Sequence, residues 1–357
     1  MANFDLSNLS LMAACPGNEI LYDDKGKPSI MVKIPPQTYK QLGMGNSEEI
    51  YPAFYVNNKL VEAIWISKFA NIIKNGRAYS LPGQDPANGL NLEAAINACT
   101  AKGPGWHLMT QIERGLLINW CENNGFIPKG NNDYGKHVSE NSYKALPGNI
   151  VDGKTNRTLT GTGPLTWFHD NSPSGIDDLG GNVRNWSGGI RSVYGELQIR
   201  PNNNGADSAN SQLAGSLSWK AIKADDGTLI DPNGSGTTPG SVKMDWISSK
   251  LTYSTTITDV APGSHSCTFG NIVADGTIGE SAKLLLKALG MLPHNPDGLS
   301  KTHLCYFDNG GAERSFLCGG IYANTSYGLA TFNGYSTRTN TSASIGFRSA
   351  FVKLPSV

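Results

Sequence analysis

The chain has 357 residues, of which 39% are hydrophobic and 16% are charged, so we expect a packed globular core. Its 29 basic and 29 acidic side chains balance, which removes any general electrostatic attraction to nucleic acid or to an anionic membrane. No apolar run reaches the roughly 18 to 20 residues that cross a bilayer, and the first residues lack the basic flank and apolar stretch of an export signal. We therefore expect no nucleic-acid partner, no membrane span and no signal peptide.

The predicted elements, in chain order, mix helices with short strands. Strands are predicted over 29–34, 63–67, 196–200 and 346–353, and helices over 92–102, from 110 to about 124 and over 281–289. The helix signals are local ones: Asn91 is a plausible N-cap, Thr110 and Glu113 have the spacing of a capping box, and Gly290 marks a helix end. These patterns predict an α+β fold with two main helices in the first third of the chain.

Glycine and proline are abundant, with 42 and 19 residues, but they are interspersed with aromatic and aliphatic side chains. This distribution indicates many long loops inside an ordered fold. We expect a single domain over 1–357, with an N-terminal extension over 1–28 and a surface insertion over 201–249. No linker divides the chain into independent domains.

The cysteines lie far apart in the sequence and form no CxxC pair of the kind that zinc sites and redox motifs use. Buried free thiols are therefore the expected state of Cys15, Cys99, Cys121, Cys267, Cys305 and Cys318. The histidines show no metal-binding spacing either, and we expect no cofactor and no metal ligand set.

Three ordered sequence blocks carry a family resemblance. They are GWHLMT at 105–110, GIDDLGGNVRNW at 175–186, and the pair formed by Gly319-Gly320 and Gly346-Phe347-Arg348. Together they resemble the formylglycine-generating-enzyme subclass of the C-type lectin fold. Within that subclass the chain looks most like phage tail proteins and the variable proteins of diversity-generating retroelements. The similarity extends roughly over 29–357.

The resemblance implies specific roles for several side chains. Trp186 should be buried with its indole N–H on a backbone acceptor, and Phe347 should pack in the core beside a structurally paired Arg348. The Gly180-Gly181-Asn182 sequence should form a tight turn with positive φ. The corresponding loop of some relatives binds calcium, for which Asp177, Asp178 and Asn182 offer oxygen atoms, while a purely structural loop is the alternative.

Catalytic members of this subclass carry two cysteines shortly after the double glycine, where they bind copper. Here Ile321, Tyr322, Ala323 and Asn324 follow Gly320, and no cysteine occurs after Cys318. One thiol cannot supply the pair of soft ligands that copper(I) prefers. The sequence thus favours a protein that is not an enzyme and has no catalytic residue.

The segment 321–344 has the composition of a recognition surface. It is rich in Tyr, Ser, Asn, Thr and Gly, which antibody-type binding sites use because tyrosine gives rigid amphipathic contact and small polar residues adapt their hydrogen bonds. An ordinary polar loop has the same composition and remains the alternative.

A second feature of this segment fits the retroelement resemblance. Those proteins diversify by randomising template adenines, often in AAC or AAT asparagine codons. Changes at the first and second bases of such codons never produce Trp, Gln, Glu, Lys or Met, and 321–344 contains none of these residues. The absence is consistent with adenine mutagenesis.

We therefore predict a variable ligand-binding region over 319–348. The residues expected to face outward and contact a ligand are Ile321, Tyr322, Ala323, Asn324, Tyr327, Asn333, Tyr335, Ser336, Asn340, Ser342 and Ser344. The expected partner is a protein or glycan, such as one on a host cell surface, and the expected location is a virion tail or another prophage-encoded product. A tail structural protein without selectable binding is the first alternative, and an oxidase is the second.

Overall fold

A computed structural model describes residues 5–259 and 263–355. Over these residues it contains helices α1 (Leu6–Ala14), α2 (Leu92–Thr100), α3 (Gln111–Asn123) and α4 (Glu280–Ala288). Short 3₁₀ turns lie at Pro52–Phe54, Leu165–Trp167, Asn204–Ala206 and Phe269–Asn271. The predicted mixture of helices and many strands is confirmed, and α1 is a further helix beyond the three that the sequence predicts.

The strands are short and numerous. In chain order they are β1 (Asn18–Tyr22), β2 (Pro28–Ile34), β3 (Tyr55–Val56), β4 (Lys59–Leu60), β5 (Ile64–Ser67), β6 (Ile72–Lys74), β7 (Arg77–Tyr79), β8 (Trp106–Leu108), β9 (Ile150–Val151), β10 (Lys154–Thr155), β11 (Arg184–Val193), β12 (Glu196–Ile199), β13 (Lys220–Ile222), β14 (Leu229–Ile230), β15 (Lys243–Ile247), β16 (Lys250–Ser254), β17 (His265–Thr268), β18 (Val273–Ala274), β19 (Leu304–Phe307), β20 (Arg314–Cys318), β21 (Phe332–Ser336), β22 (Ile345–Gly346) and β23 (Ser349–Phe351).

Two sheets contain most of these strands, and β3-β4, β6-β7 and β9-β10 form separate two-stranded pairs. The smaller one has the order β1-β2-β5-β23-β8, so the first and last parts of the described chain lie in one sheet. The larger one runs β17-β19-β21-β20-β11-β12-β15-β16-β18, with β13 beside β12, β14 beside β13 and β22 beside β11. The predicted C-terminal strand over 346–353 is in fact two strands, because β22 pairs with β11 while β23 pairs with β5 and β8.

Helix α3 begins as the sequence predicts and lies against the larger sheet. The Thr110 side chain accepts from the Glu113 amide while the Glu113 carboxylate accepts from the Thr110 amide, which completes a capping box. Gln111 accepts a hydrogen bond from Ser187 of β11 at 2.8 Å and donates one to the Leu289 carbonyl at 2.7 Å. A Cβ at position 115 would lie 1.9 Å from the Ala288 carbonyl oxygen, so the close approach of α3 to α4 requires glycine there.

The segment 201–249, predicted to be a surface insertion, contributes to the core instead. Ala221, Ile222, Val242 and Met244 are fully buried, and β15 pairs with β12 and β16 inside the larger sheet. Trp219 is also buried. Turns that contain glycine lie before β13, between β13 and β14 and before β15, and these interruptions hid the apolar positions from the sequence analysis.

The N-terminal extension predicted over 1–28 also needs correction. β1 pairs with β2 over its whole length, so this part of the chain forms the edge of the smaller sheet. Helix α1 was not predicted, and none of its residues is buried. Five of the six cysteines are buried and Cys15 is half-buried, all as free thiols, which confirms the expected state.

Candidate ligand-binding site

The two glycine pairs of the sequence blocks lie against each other. A Cβ on Gly320 would lie 1.9 Å from the Gly180 carbonyl oxygen, and a Cβ on Gly181 would lie 2.4 Å from the Asn131 amide nitrogen. These glycines are therefore needed for close backbone approach. The positive φ values expected in the turn occur at Asp178 and Asn182, at 48° and 63°, and not at the glycines between them.

The predicted scaffold residues are buried as expected. Trp186 is 1% exposed and its indole Nε1 donates to the Leu90 carbonyl at 2.9 Å, and Phe347 is fully buried. The guanidinium of Arg348 donates to the carbonyl oxygens of Ser67, Lys68 and Asp177. Its structural pairing thus consists of hydrogen bonds to backbone carbonyls.

Several of the oxygen atoms considered for calcium already accept hydrogen bonds from the backbone, whereas Asp177 Oδ1 is buried without a partner in the described ranges. Asn182 Oδ1 accepts from the Thr158 amide at 2.9 Å, and Asp178 Oδ1 accepts from the Asn131 amide at 3.2 Å. Burial raises the pKa of Asp177 to about 6, and burial together with the neighbouring Asp177 raises that of Asp178. Within 5–259 and 263–355, no group of three or more His, Cys, Asp or Glu side chains is arranged to hold a metal ion.

The backbone of 321–344 is tied to the scaffold along its length. The Tyr322 amide donates to the Asn182 carbonyl at 3.1 Å, and the Tyr322 carbonyl accepts from the Tyr134 amide at 2.8 Å. At the other end, the Arg184 amide donates to the Ser344 carbonyl at 2.9 Å. Between these ties the chain forms β21, which pairs with both β19 and β20, so the segment is more regular than the loop that its composition suggests.

Seven of the eleven predicted contact residues reach solvent. Ala323, Tyr335, Asn340 and Ser342 are exposed, and Ile321, Tyr322 and Asn324 are half-buried. Tyr335 has the largest exposed side chain among them, at 47%. The half-buried Tyr322 ring lies 6.3 Å from that of Tyr134.

The remaining four, Tyr327, Asn333, Ser336 and Ser344, are buried, so the expectation that they face outward is wrong. Ser336 is the cross-strand partner of the fully buried Ser315, beyond a register shift between β20 and β21. Ser344 is covered where the chain enters β22 beside Arg184.

Tyr327 and Asn333 are buried by neighbours that lie outside the predicted region. The Tyr327 ring contacts the Tyr306 ring edge-on at 5.9 Å, and the Arg184 guanidinium lies 6.0 Å from its centroid. Burial and a hydrogen bond with Tyr306 raise the pKa of Tyr327. Asn333 is the direct cross-strand partner of Tyr306, and its Oδ1 accepts from the Tyr335 amide at 3.1 Å.

These contacts define a surface that we call the tyrosine face, made of Arg184, Tyr306, Tyr327, Asn333 and Tyr335. Asn333 follows Phe332 in β21 and points to the opposite side of the sheet, where it is paired with Tyr306. Tyr335 is the exposed residue of the same strand, and its amide donates to Asn333 Oδ1. Arg184 and Tyr306 were missed by the sequence analysis because they reach this surface through pairings between distant strands. Chemically, the face combines aromatic rings, hydroxyl groups, an amide and one cation.

Comparison with known proteins finds no matching family model and no matching curated protein. Among solved structures, the Major Tropism Determinant P3c variant is 13% identical with a TM-score of 0.32, and the alignment covers 94% of this chain and 71% of that chain. PvdO from Pseudomonas aeruginosa is 13% identical with a TM-score of 0.30, and the alignment covers 95% of this chain and 99% of that chain. Both similarities are coarse.

Among the described residues, none of the helices has the length and apolar character needed to cross a bilayer.

Proposed function

We propose that this protein binds a ligand through 321–344 and the tyrosine face, on a scaffold of the C-type lectin type, as a retroelement variable protein or phage receptor-binding protein. One observation carries the proposal. The backbone of 321–344 is hydrogen-bonded to the scaffold at both ends, while Ala323, Tyr335, Asn340 and Ser342 extend into solvent. Side chains at such positions vary without changing the fold, and a backbone held in advance loses little entropy on binding.

We propose further that the protein acts without catalysis. Cys318, the cysteine nearest the double glycine, is 3% exposed and its Sγ lies 3.1 Å from Gln111 Oε1. Burial raises the pKa of the Cys318 thiol to about 11, so it stays protonated at neutral pH and is a poor nucleophile and metal ligand. Both facts support a structural role for this thiol.

The proposed partner is a protein or glycan on a host cell surface, and the proposed location is a virion tail. Tyrosine supports this choice because its ring gives contact area while its hydroxyl makes a hydrogen bond, which suits either class of ligand.

The test begins with a ligand selected by panning host-surface extracts on the wild-type protein. A variant with Tyr335→Ala, Asn340→Ala and Ser342→Ala should stay folded and bind this ligand about thirtyfold more weakly, since one interface tyrosine often contributes roughly 2 kcal/mol. Leu217→Ala is the matched control, because Leu217 is 92% exposed and lies outside the segment. Equal affinity of the folded triple variant and the control would contradict the proposal.

The alternatives make different predictions. A tail structural protein would have no neighbouring reverse transcriptase gene and no near-repeat of the coding segment for 321–344. An oxidase would bind copper and consume oxygen in the presence of a thiol substrate, and it would lose that activity on Cys318→Ser.

A further inference from the structure

Arg184 is a half-buried cation without a counter-charge. Its guanidinium makes no hydrogen bond and no ion pair with the part of the chain that the structure describes, and its Nε is buried without a partner. The contact that it does make is with the ring of Tyr327, 6.0 Å from the centroid. Such a contact stabilises a cation modestly and leaves its N–H donors unused.

Arg157, Arg314 and Arg348 are paired, whereas the buried Arg200 donates to the Ser216 hydroxyl and stacks on Trp219, with its Nε and Nη1 unpaired among the described residues. Arg157 donates to both carboxylate oxygens of Asp85 at 2.8 Å, and Arg314 donates to Asp308 at 2.6 and 2.8 Å. The fully buried Arg348 has its three backbone carbonyl acceptors. Among the described residues, Arg184 differs from Arg157, Arg314 and Arg348 in having neither an acid nor a carbonyl acceptor for its side chain. It differs from Arg200 in lying beside the segment 321–344.

An unpaired guanidinium in this setting has an energetic cost that an anion would remove. Burial lowers the pKa of Arg184, and the groups that oppose this shift are Tyr327 and Tyr306, not a carboxylate. Removing a charge from water without giving it a partner is unfavourable. A bound carboxylate would supply the missing acceptors, and the planar guanidinium matches its geometry.

The position of Arg184 places this unused donor within the proposed binding surface. Its own amide holds the Ser344 carbonyl, and its side chain lies on Tyr327, which in turn contacts Tyr306. Asn333, paired with Tyr306, uses its Oδ1 on the Tyr335 amide, while its Nδ2 makes no hydrogen bond within residues 5–259 and 263–355. Two unused donor groups therefore belong to one face.

We propose that Arg184 binds the carboxylate of an acidic sugar in the ligand, with Asn333 Nδ2 donating to a sugar oxygen. This inference rests on the proposed function and specifies its ligand class. The groups around the guanidinium are hydroxyls, an amide and tyrosine rings, which suit the hydroxyls and the apolar face of a pyranose. An acidic peptide has the same carboxylate but lacks the ring and the hydroxyls, so it serves as the competing probe.

The experiment titrates the full chain with 3′-sialyllactose and trigalacturonate, and with lactose and carboxyl-reduced trigalacturonate as their neutral partners. We expect at least one acidic sugar to bind with a Kd of about 1 mM or tighter, and about tenfold tighter than its neutral partner. Arg184→Gln should abolish this difference. Lys250→Gln, which removes one exposed positive charge outside the tyrosine face, should preserve it.

Several outcomes would overturn the inference. These are the absence of binding by both acidic sugars, equal binding of acidic and neutral partners, or an unchanged preference in Arg184→Gln. Tighter binding of a glutamate-rich peptide than of either sugar would indicate that the carboxylate bound by Arg184 belongs to a protein ligand. If the ligand found by panning is weakened by the triple variant but not by Arg184→Gln, the acidic-sugar inference fails and the binding function stands. If neither variant weakens that ligand, the proposed function itself fails.

A stability measurement separates a binding role from a structural one. Because Arg184 lacks acceptors, Arg184→Met should keep or raise the Tm of the ligand-free protein. Arg348→Met, which leaves three buried carbonyls without their donor, should lower the Tm clearly. A comparable fall in Tm for Arg184→Met would show that the guanidinium holds the fold, and would contradict its role as a ligand anchor.

Discussion

The segments 201–249 and 321–344 look alike in sequence but are built differently. Both are rich in glycine, asparagine, serine and threonine. In 201–249, strands β13 and β15 bury Ala221, Ile222 and Met244 completely. In 321–344, the one short strand buries four of its five residues and exposes Tyr335. Composition therefore indicates turns in both segments but does not show which one lies in the core.

The difference lies in what each segment bonds to. β15, which lies in 201–249, forms a hairpin with β16 through five cross-strand pairs. Local antiparallel pairing therefore places this part of the segment in the larger sheet. The ends of 321–344 are instead held by separate backbone hydrogen bonds, between Tyr322 and both Asn182 and Tyr134 at one end and between Ser344 and Arg184 at the other. Local pairing produces a core region, whereas separate backbone ties leave side chains free for binding.

The strongest test of this contrast is Trp219→Ala. The Trp219 ring lies between the guanidinium groups of Arg191 and Arg200, 4.7 and 4.3 Å from its centroid, and its Nε1 donates to the Leu213 carbonyl at 3.0 Å. We expect the free energy of unfolding to fall by about 3 to 5 kcal/mol, measured by urea denaturation. The nearby Leu217→Ala should change it by less than about 0.5 kcal/mol. A small effect of Trp219→Ala would restore the view of 201–249 as a surface insertion.

A smaller effect is expected within the binding segment, from Tyr327→Ala. Tyr327 is 8% exposed and supports both Tyr306 and Arg184, so removal of its ring should cost about 2 kcal/mol in the same measurement. Tyr327→Phe, which keeps the ring, is the control and should retain most of the stability. A loss below about 0.5 kcal/mol for Tyr327→Ala would indicate that Tyr327 does not support the fold and is available to contact a ligand, as the sequence predicts.

The smallest effect belongs to Tyr335→Ala. At 47% exposure this side chain contributes little to the core, and we expect a change in unfolding free energy within about 0.5 kcal/mol. Its contribution should appear in ligand affinity instead. If Tyr335→Ala destabilised the protein as much as Tyr327→Ala, the distinction between buried and outward tyrosines would be lost.

The confirmed helix predictions are those that depend on residues close together in the sequence. Helices α2 and α3 start at Asn91 and Thr110 because their caps lie within four residues, and α4 ends just before Gly290, whose φ is 63°. These cap signals need no knowledge of the rest of the fold. Burial of Trp186 was expected instead from the family resemblance carried by 175–186.

The features that were missed depend on distant partners. Arg184 meets Tyr327 and Ser344 because β22 pairs with β11, and Tyr306 meets Asn333 because β19 pairs with β21, both in parallel. Parallel neighbours leave no turn signal between them in the sequence. Helix α1 was missed for another reason, since it buries no residue and so shows no strong apolar periodicity.

The position of β23 makes completion of the smaller sheet depend on translation of the whole C-terminal part of the chain. This strand lies between β5 and β8 and is made after 321–344, so the smaller sheet stays divided until the segment has been translated in full. A chain that terminates early, through a stop codon introduced into 321–344, leaves the edges of β5 and β8 unpaired and the Phe347 site empty. Exposed strand edges and apolar surface are what cellular proteases and chaperones act on. We therefore expect truncated products to be degraded, and the variants that accumulate to be those in which 321–344 has been translated in full.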